Sequence, residues 1–548
     1  MKLQSVSILS LLVAVQSISA FASPTAKCGN GHGNGNGNGN GNGNSSKKPN
    51  FVVFLTDDQD YLMDSLKYQK YVNKHFIDEG TEFSHYYTTS ATCCPSRVSL
   101  WLGQFAHNHN VTDESRPHGS YYKFQENHLD DNWLPLWLQQ AGYKNHYIGK
   151  FINGVDQKNT VAPKGWEHFE PLVSPGIYNF TNPIFSLNGG PIESFPGVYQ
   201  TDLIRDKSLA RIEEISKRSD DPFLLVVSPT APHDEVQADG RFTPPVPADR
   251  HKHLFPDAKV PRTPNFNPEV QDKVGWLKDL PLLNPLQIED IDNHYRQRLR
   301  SLQATDELVN DVINRLEEKG LLENTYLIYT TDNGYHLGQH RLFAGKQLPI
   351  ENDINIPFII RGPGIAKKAV KSNPATHSHF PATILDLAGL PRPASLDATS
   401  LFDPKHTESF NVEFWNNQFT EGGANFTHPK NSYKALRLIS EKHNIYYSVW
   451  CTHEHEYYDM KVDPYQLTNK YTTADSRLLN RLDALVSVLH DCKGEVCKFP
   501  WKTLHKDGHV NSLDEALDAK HDDYYKNLPK FRFKSCKVYY DADNEGAE

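Results

Sequence analysis

Phe51-Val52-Val53-Phe54-Leu55-Thr56-Asp57-Asp58 runs from an apolar stretch straight into two carboxylates. The apolar part is too short for an ordinary helix and lacks polar alternation, so it predicts a strand covered on both faces. The same pattern returns three times. Phe223–Ser228 leads to Pro229-Thr230-Ala231-Pro232-His233, Tyr326–Thr331 to Asp332-Asn333-Gly334, and Ile356–Ile360 to Arg361-Gly362-Pro363-Gly364. Before the third run, Leu299, Leu302, Leu308, Val309, Val312, Ile313 and Leu316 recur at helical spacing, with Gly320 placed to end the helix. Helix followed by strand predicts an α/β fold, a sheet flanked by helices. Ligands of such sheets bind beyond the carboxyl ends of the strands. Asp57, Asp58, His233, Asp332 and Asn333 all fall there.

The 548 residues exceed what one small core needs. A large catalytic domain is expected over 49–400 and a smaller α+β domain over 401–548, divided where prolines gather and cysteine use changes. Residues 1–22 have the form of a secretory leader: Lys2, a mostly apolar Val6–Ile18, and Ala20-Phe21-Ala22 as a cleavage site. The segment 23–48 is a linker, with Gly29–Asn44 an almost pure Gly-Asn alternation that buries no apolar surface. Sequons at Asn44, Asn110, Asn179 and Asn425 agree with secretion and N-glycosylation. No later run is long and apolar enough for a membrane span. A net charge of −10 argues against nucleic-acid binding but not against a small anion held in a local cationic pocket. The acidic tail Asp541–Glu548 is expected to be disordered.

Seven cysteines make an odd number for an oxidising compartment. Cys451, Cys492, Cys497 and Cys536 suit a stapled C-terminal domain; their spacing leaves connectivity open, with Cys492–Cys497 and Cys451–Cys536 the expected pairs. Cys93 is the candidate odd one. It opens Cys93-Cys94-Pro95-Ser96-Arg97-Val98-Ser99-Leu100-Trp101-Leu102-Gly103, where Pro95 suits a first helical turn and Gly103 an end. A helix N-terminus attracts anions, and Arg97, one turn in, can pair with one. The oxygen donors Asp57, Asp58, Asp332 and Asn333 favour calcium or magnesium over zinc. Taken alone, either acidic pair is equally a turn former or a helix cap.

Together these stretches resemble the type I sulfatases. Cys93-x-Pro95-Ser96-Arg97, with Leu100 and Gly103, is similar to that family's signature, whose first cysteine becomes formylglycine. Asp57-Asp58, Gly149-Lys150, His233, Asp332-Asn333-Gly334 and Lys346 follow in the family's order, and Tyr457–Pro464 resembles its C-terminal segment. The resemblance covers Pro49 to about Asn469 and is strongest to fungal arylsulfatases and N-acetylglucosamine-6-sulfatases.

It implies an alkaline-phosphatase-like mixed sheet and one calcium ion held by Asp57, Asp58, Asp332 and Asn333, with modified Cys93 completing the site. Arg97, Lys150 and Lys346 would hold the aldehyde hydrate and sulfate, and His233 would sit by the leaving oxygen. Aryl or sugar sulfate esters are the implied substrates, and formylglycine-generating machinery the implied partner. Many sulfatases carry a histidine two residues after the Gly-Lys lysine; here Ile152 stands there, so His107, His109 or His336 is expected to assist sulfate elimination.

Two rival readings remain. A two-metal phosphatase or phosphonate hydrolase would need further His and Asp ligands. A non-catalytic binding protein would keep the pocket with Cys93 as a plain thiol.

Overall fold

A computed structural model of the chain describes residues 47–218, 220–405, 407–421 and 426–547. The leader, most of the Gly-Asn linker, Cys28 and the sequons at Asn44 and Asn425 lie outside the described residues.

The central sheet has eight strands: β1 Asn50–Thr56, β2 Thr81–Phe83, β3 Lys144–Gly149, β4 His168–Pro171, β5 Phe223–Ser228, β6 Thr325–Thr331, β7 Phe358–Arg361 and β8 Ala369–Lys371. Their order is β8-β2-β7-β6-β1-β5-β3-β4. β1 lies between β6 and β5, parallel to both, whereas β7 runs antiparallel to β6 and β2. The sheet is therefore mixed.

The twofold alternation of a strand explains why β1 is apolar throughout. Phe51, Val53 and Leu55 join one core with Val98, Trp101 and Leu102 of helix α1 (Cys93–Leu102). Val52 and Phe54 join a core on the other face. That core holds Ile204 and Ile212 of α2 (Gln200–Ser216), with Leu308, Val309, Val312 and Leu316 of α3 (Pro285–Glu318). Helix α3 starts a full fourteen residues before Leu299, the first apolar position that marked it. Its start is a capping box: Asn284 accepts from the backbone of Leu286 and Gln287, Gln287 reciprocates, and Pro285 fills the first turn. Strand β7 begins later than the apolar run because Pro357 has no N–H to give a ladder.

The C-terminal part builds its own antiparallel sheet, β9 Ser409–Phe414, β10 Tyr433–Ile439, β11 Asn444–Trp450 and β12 His455–Asp459, in that order. Helix α4 (Ser476–Leu489) packs Leu482, Leu485 and Leu489 into the same core as Val412, Leu436 and Leu438. The bridges are Cys451–Cys536 and Cys492–Cys497, as expected.

The tail differs from expectation. Glu545–Ala547 pairs with Phe531–Phe533, and the Glu545 carboxylate is buried against Trp415 and Lys434. Net acidity failed as a signal because one carboxylate of the tail has a buried cation to meet.

Candidate active site

Four strand ends and one helix start deliver the site. Asp57 and Asp58 follow β1, Lys150 follows β3, His233 lies five residues beyond β5, and Asp332-Asn333 follow β6. Helix α1 brings Cys93 in at its first position and Arg97 one turn later. Gly103 ends that helix at φ 68°, where a β-carbon would also meet Leu396 at 2.5 Å.

Cys93 Sγ lies 3.5 Å from Asp57 Oδ1, 3.8 Å from Asp58 Oδ1 and 3.4 Å from Lys346 Nζ. Lys346 donates to both Asp58 oxygens at 2.7 and 2.6 Å, and Lys150 donates to Asp57 Oδ2. Arg97 gives Nε to Asp332 Oδ2 at 2.7 Å and its other nitrogens to the carbonyls of Lys150 and Thr56 and the hydroxyl of Ser228. One guanidinium thus ties β1, β3, β5 and β6 together. Asp332 Oδ1 accepts the N–H of Asp58, which holds a left-handed backbone at φ 61°.

Three buried carboxylates face three buried cations, and the balance fixes their states. Burial pushes the Asp58 carboxyl up, but the Lys346 ammonium outweighs it and holds it below the usual range. Burial also raises Asp57, but Lys150 and Arg97 oppose that rise, and the Lys150 ammonium that donates to Oδ2 keeps the pair ionic. For Lys150 and Lys346 burial favours the neutral amine, yet Asp57 and Asp58 prevail, so both remain ammonium ions. Burial keeps Cys93 a thiol. It keeps His233 neutral too. His233 Nδ1 faces the carbonyl of Asp234 at 2.6 Å, which places the ring proton there and leaves the lone pair on Nε2, 3.6 Å from Asp58.

The donor set fits a cation. Asp57, Asp58, Cys93 and His233 each offer a ligand atom, all within 4.8 Å of one another and all buried. Asn333 donates Nδ2 to Asp58 Oδ1 and to the carbonyl of Gly334, leaving its buried Oδ1 with no hydrogen-bond donor. Such an acceptor costs stability unless a cation or a donor meets it.

All the predicted site residues come together, but two of the three proposed elimination bases do not join them. His107 turns Nδ1 to Glu413 and Nε2 to the carbonyl of Cys492. His109 bonds Ser99 and the N–H of Val111, and burial lowers it to about 3. Both are occupied in holding structure, and their loop position next to the signature misled. His336 keeps Nδ1 on Asp353 at 2.8 Å, with a buried Nε2 that has no partner. Ile152 lies in an apolar core beside Phe151.

Four residues near the cluster gave no sequence signal. Arg298 of α3 clasps the carbonyls of Asp58 and Pro232. His377 Nε2 reaches the carbonyl of Asp332 at 3.2 Å. Tyr178 stacks on His233 at 4.4 Å with Lys150 Nζ over its ring. Glu421, from the C-terminal part, sits 3.4 Å from Lys346. An open cleft of about 720 Å³ between Tyr471, Asp483 and Lys530 lies elsewhere, in the C-terminal part.

A mixed sheet flanked by helices, with buried cations, carboxylates and a cysteine gathered at its strand ends, is the setting of an α/β hydrolase. The chain belongs to the sulfatase family of enzymes: residues 49–390 match the Sulfatase family, and 338–490 match the C-terminal region of N-sulphoglucosamine sulphohydrolase. It is 40% identical over 540 residues to an arylsulfatase of Volvox carteri, covering 91% of this chain and 83% of that one. To the N-acetylglucosamine-6-sulfatase of Capra hircus it is 30% identical over 495 residues, covering 83% and 86%. The fold matches a structure solved with its substrate D-glucosamine-2-N,6-O-disulfate at TM-score 0.66 and 22% identity, over 84% of this chain and 99% of that one.

Proposed function

We propose that the chain is a secreted, N-glycosylated arylsulfatase in which Cys93, oxidised to formylglycine by a partner enzyme, attacks sulfate monoesters beside one calcium ion. The observation that carries this reading is Cys93 at the first position of α1, flanked by Asp57, Asp58 and Lys346. Asp57, Asp58, Asp332 and Asn333 would hold the ion through oxygen, and modified Cys93 would complete the set. The bound ion supplies positive charge to the sulfate oxygens, and the hydrated aldehyde supplies an oxygen nucleophile.

The side chains do the rest. Lys150 and Lys346, held as ammonium ions by Asp57 and Asp58, add fixed charge where the ester oxygens gather negative charge. Arg97 works through position: it locks Asp332 and the backbone of Lys150 so that the ligands and that lysine keep their spacing. His233 rests neutral with Nε2 toward the cluster, so it acquires its proton in the complex, where the sulfate's charge adds to that of Asp58. It then gives the proton to the departing phenol oxygen. Burial of every group excludes water and strengthens each of these interactions.

With 4-nitrophenyl sulfate, Cys93→Ala is expected to lower turnover by at least about a thousandfold and Cys94→Ala by less than about threefold. The Cys93 peptide of active protein should weigh less than the thiol form by the difference between thiol and aldehyde. Retained turnover in Cys93→Ala, or an unmodified thiol in active protein, refutes the reading.

A further inference from the structure

Resting on the arylsulfatase reading, we infer that Phe242 and Phe419 form the platform for the leaving group, and that it takes the face of a planar aromatic ring. The two phenylalanines belong to separate hairpins. Phe242 lies on Phe242–Thr243, paired with Glu235–Val236, just after His233. Phe419 lies on Gln418–Phe419, paired with Thr427–His428, in the C-terminal part. Their rings meet at 5.2 Å, tilted 54°. The Phe242 ring is also 6.2 Å from that of His233, whose other neighbour is Tyr178.

A continuous aromatic file therefore runs outward from the group that serves the leaving oxygen. His233 itself is buried, while Tyr178, Phe242 and Phe419 keep part of their surface exposed.

Phe419 is pinned with respect to the catalytic lysine. Its N–H donates to Gln347 Oε1 at 2.9 Å, Thr420 bridges Gly345, and the N–H of Glu421 donates to the carbonyl of Ala344 at 2.9 Å. Gly345 allows this approach: it holds φ 146°, and a β-carbon there would meet the Phe419 carbonyl at 3.3 Å. Lys346 is the next residue. The Glu421 side chain closes the seam, one oxygen toward Lys346 and the other accepting from Tyr335 at 2.8 Å.

Among the described residues, Gln418, Glu421 and Arg241 beside the platform are engaged. Both ends of Gln418 bond within its own hairpin, to Phe419 O and from Thr420 Oγ1. Both Glu421 oxygens are taken. Arg241, next to Phe242, pairs with Asp239. A sugar would ask these groups for hydrogen bonds to its hydroxyls, whereas an aromatic ring asks only for ring faces.

The test separates the sulfate subsite from the leaving-group subsite. Phe419→Leu and Phe242→Leu keep apolar bulk in each hairpin; in protein with verified aldehyde, each should raise KM for 4-nitrophenyl sulfate about fivefold. Inhibition by inorganic sulfate, which fills only the sulfate subsite, should stay within about twofold of wild type, and Phe419→Tyr should restore KM. If KM and sulfate inhibition move together, or neither moves, the platform is refuted. The same follows if the variants impair only a sugar sulfate. Wild-type protein bearing the aldehyde yet inert toward every sulfate ester would instead overturn the sulfatase reading beneath it.

Discussion

The molecule buries two clusters of opposite charges, and they are built on different terms. In the C-terminal part, Glu413 takes the N–H and Nδ1 of His107, the amide of Asn411 and the ammonium of Lys434, all at 3.0 Å or less. Lys434 also donates to the carbonyl of His490 and neighbours Glu545. Burial would raise the Glu413 carboxyl, but His107 and Lys434 drive it far below its ordinary value. That cluster pairs its charges with one another, although the Asn411 Oδ1 has no donor and burial raises the Glu545 carboxyl. The cluster at Cys93 differs in what it surrounds: its carboxylates and cations gather about a free cysteine, with Lys346 Nζ 3.4 Å from Sγ, and Asp57, Asp58, Cys93 and His233 offer ligand atoms within 4.8 Å of one another. Buried charges paired only with one another specify structure; buried charges that gather ligand atoms about a cysteine mark a place for something charged to enter.

Removing one member from each cluster gives the largest separation. Glu413→Ala leaves Lys434 buried without its main partner and should cost about 3–5 kcal/mol of stability, with turnover per folded molecule within about twofold of wild type. Lys150→Ala should cut turnover by about a hundredfold or more. Denaturant melts and steady-state rates on the same preparations decide it. If Glu413→Ala lowered turnover per folded molecule as much as Lys150→Ala, the contrast between the clusters would fail.

The strand ends were readable because period and punctuation carry them: an apolar run with no alternation, then carboxylates or histidine. Cys93, Lys150 and Lys346 became readable only through the signature and its order, since a lone lysine after a strand resembles any surface charge. What stayed hidden is long-range. Glu421 lies 75 residues beyond Lys346 and reaches it through a hairpin whose register no local pattern encodes. Arg298 sits on the polar-looking first half of α3, where its charge suggested solvent rather than the backbone of Asp58. His107 and His109 show the reverse error, since motif proximity in sequence became structural support in space.

Asp483 sharpens the comparison with a third kind of buried carboxyl. It accepts from Phe531 N–H and Tyr447 OH, and burial lifts it to about 6 because Lys530 offsets only part. With a folded value above the unfolded one, its contribution to stability is complete below about pH 4 and is lost as pH rises through about 6. The loss should be roughly 2–3 kcal/mol. Asp483→Asn should remove that slope, so the melting midpoints of wild type and variant should diverge between pH 4 and pH 7, with the variant the more stable at pH 7. Parallel midpoints across that range would show that the carboxyl is ionised at no cost.

The smallest effect tests cation binding itself. If the catalytic cluster awaits a cation, calcium at tenfold its dissociation constant should stabilise the fold by about 1.4 kcal/mol, because the unfolded chain presents no such array of oxygens. Asn333→Ala removes an oxygen ligand together with its bond to Asp58, and should abolish most of that increment. Asn411→Ala removes an amide that likewise bonds a buried carboxylate, Glu413, but in the cluster away from Cys93. It should lower stability with and without calcium by the same amount, leaving the increment intact. The readout is the midpoint difference between calcium and chelator, which needs no turnover and therefore reports on ligation apart from the state of Cys93. Equal increments in both variants would place the calcium effect outside the catalytic cluster.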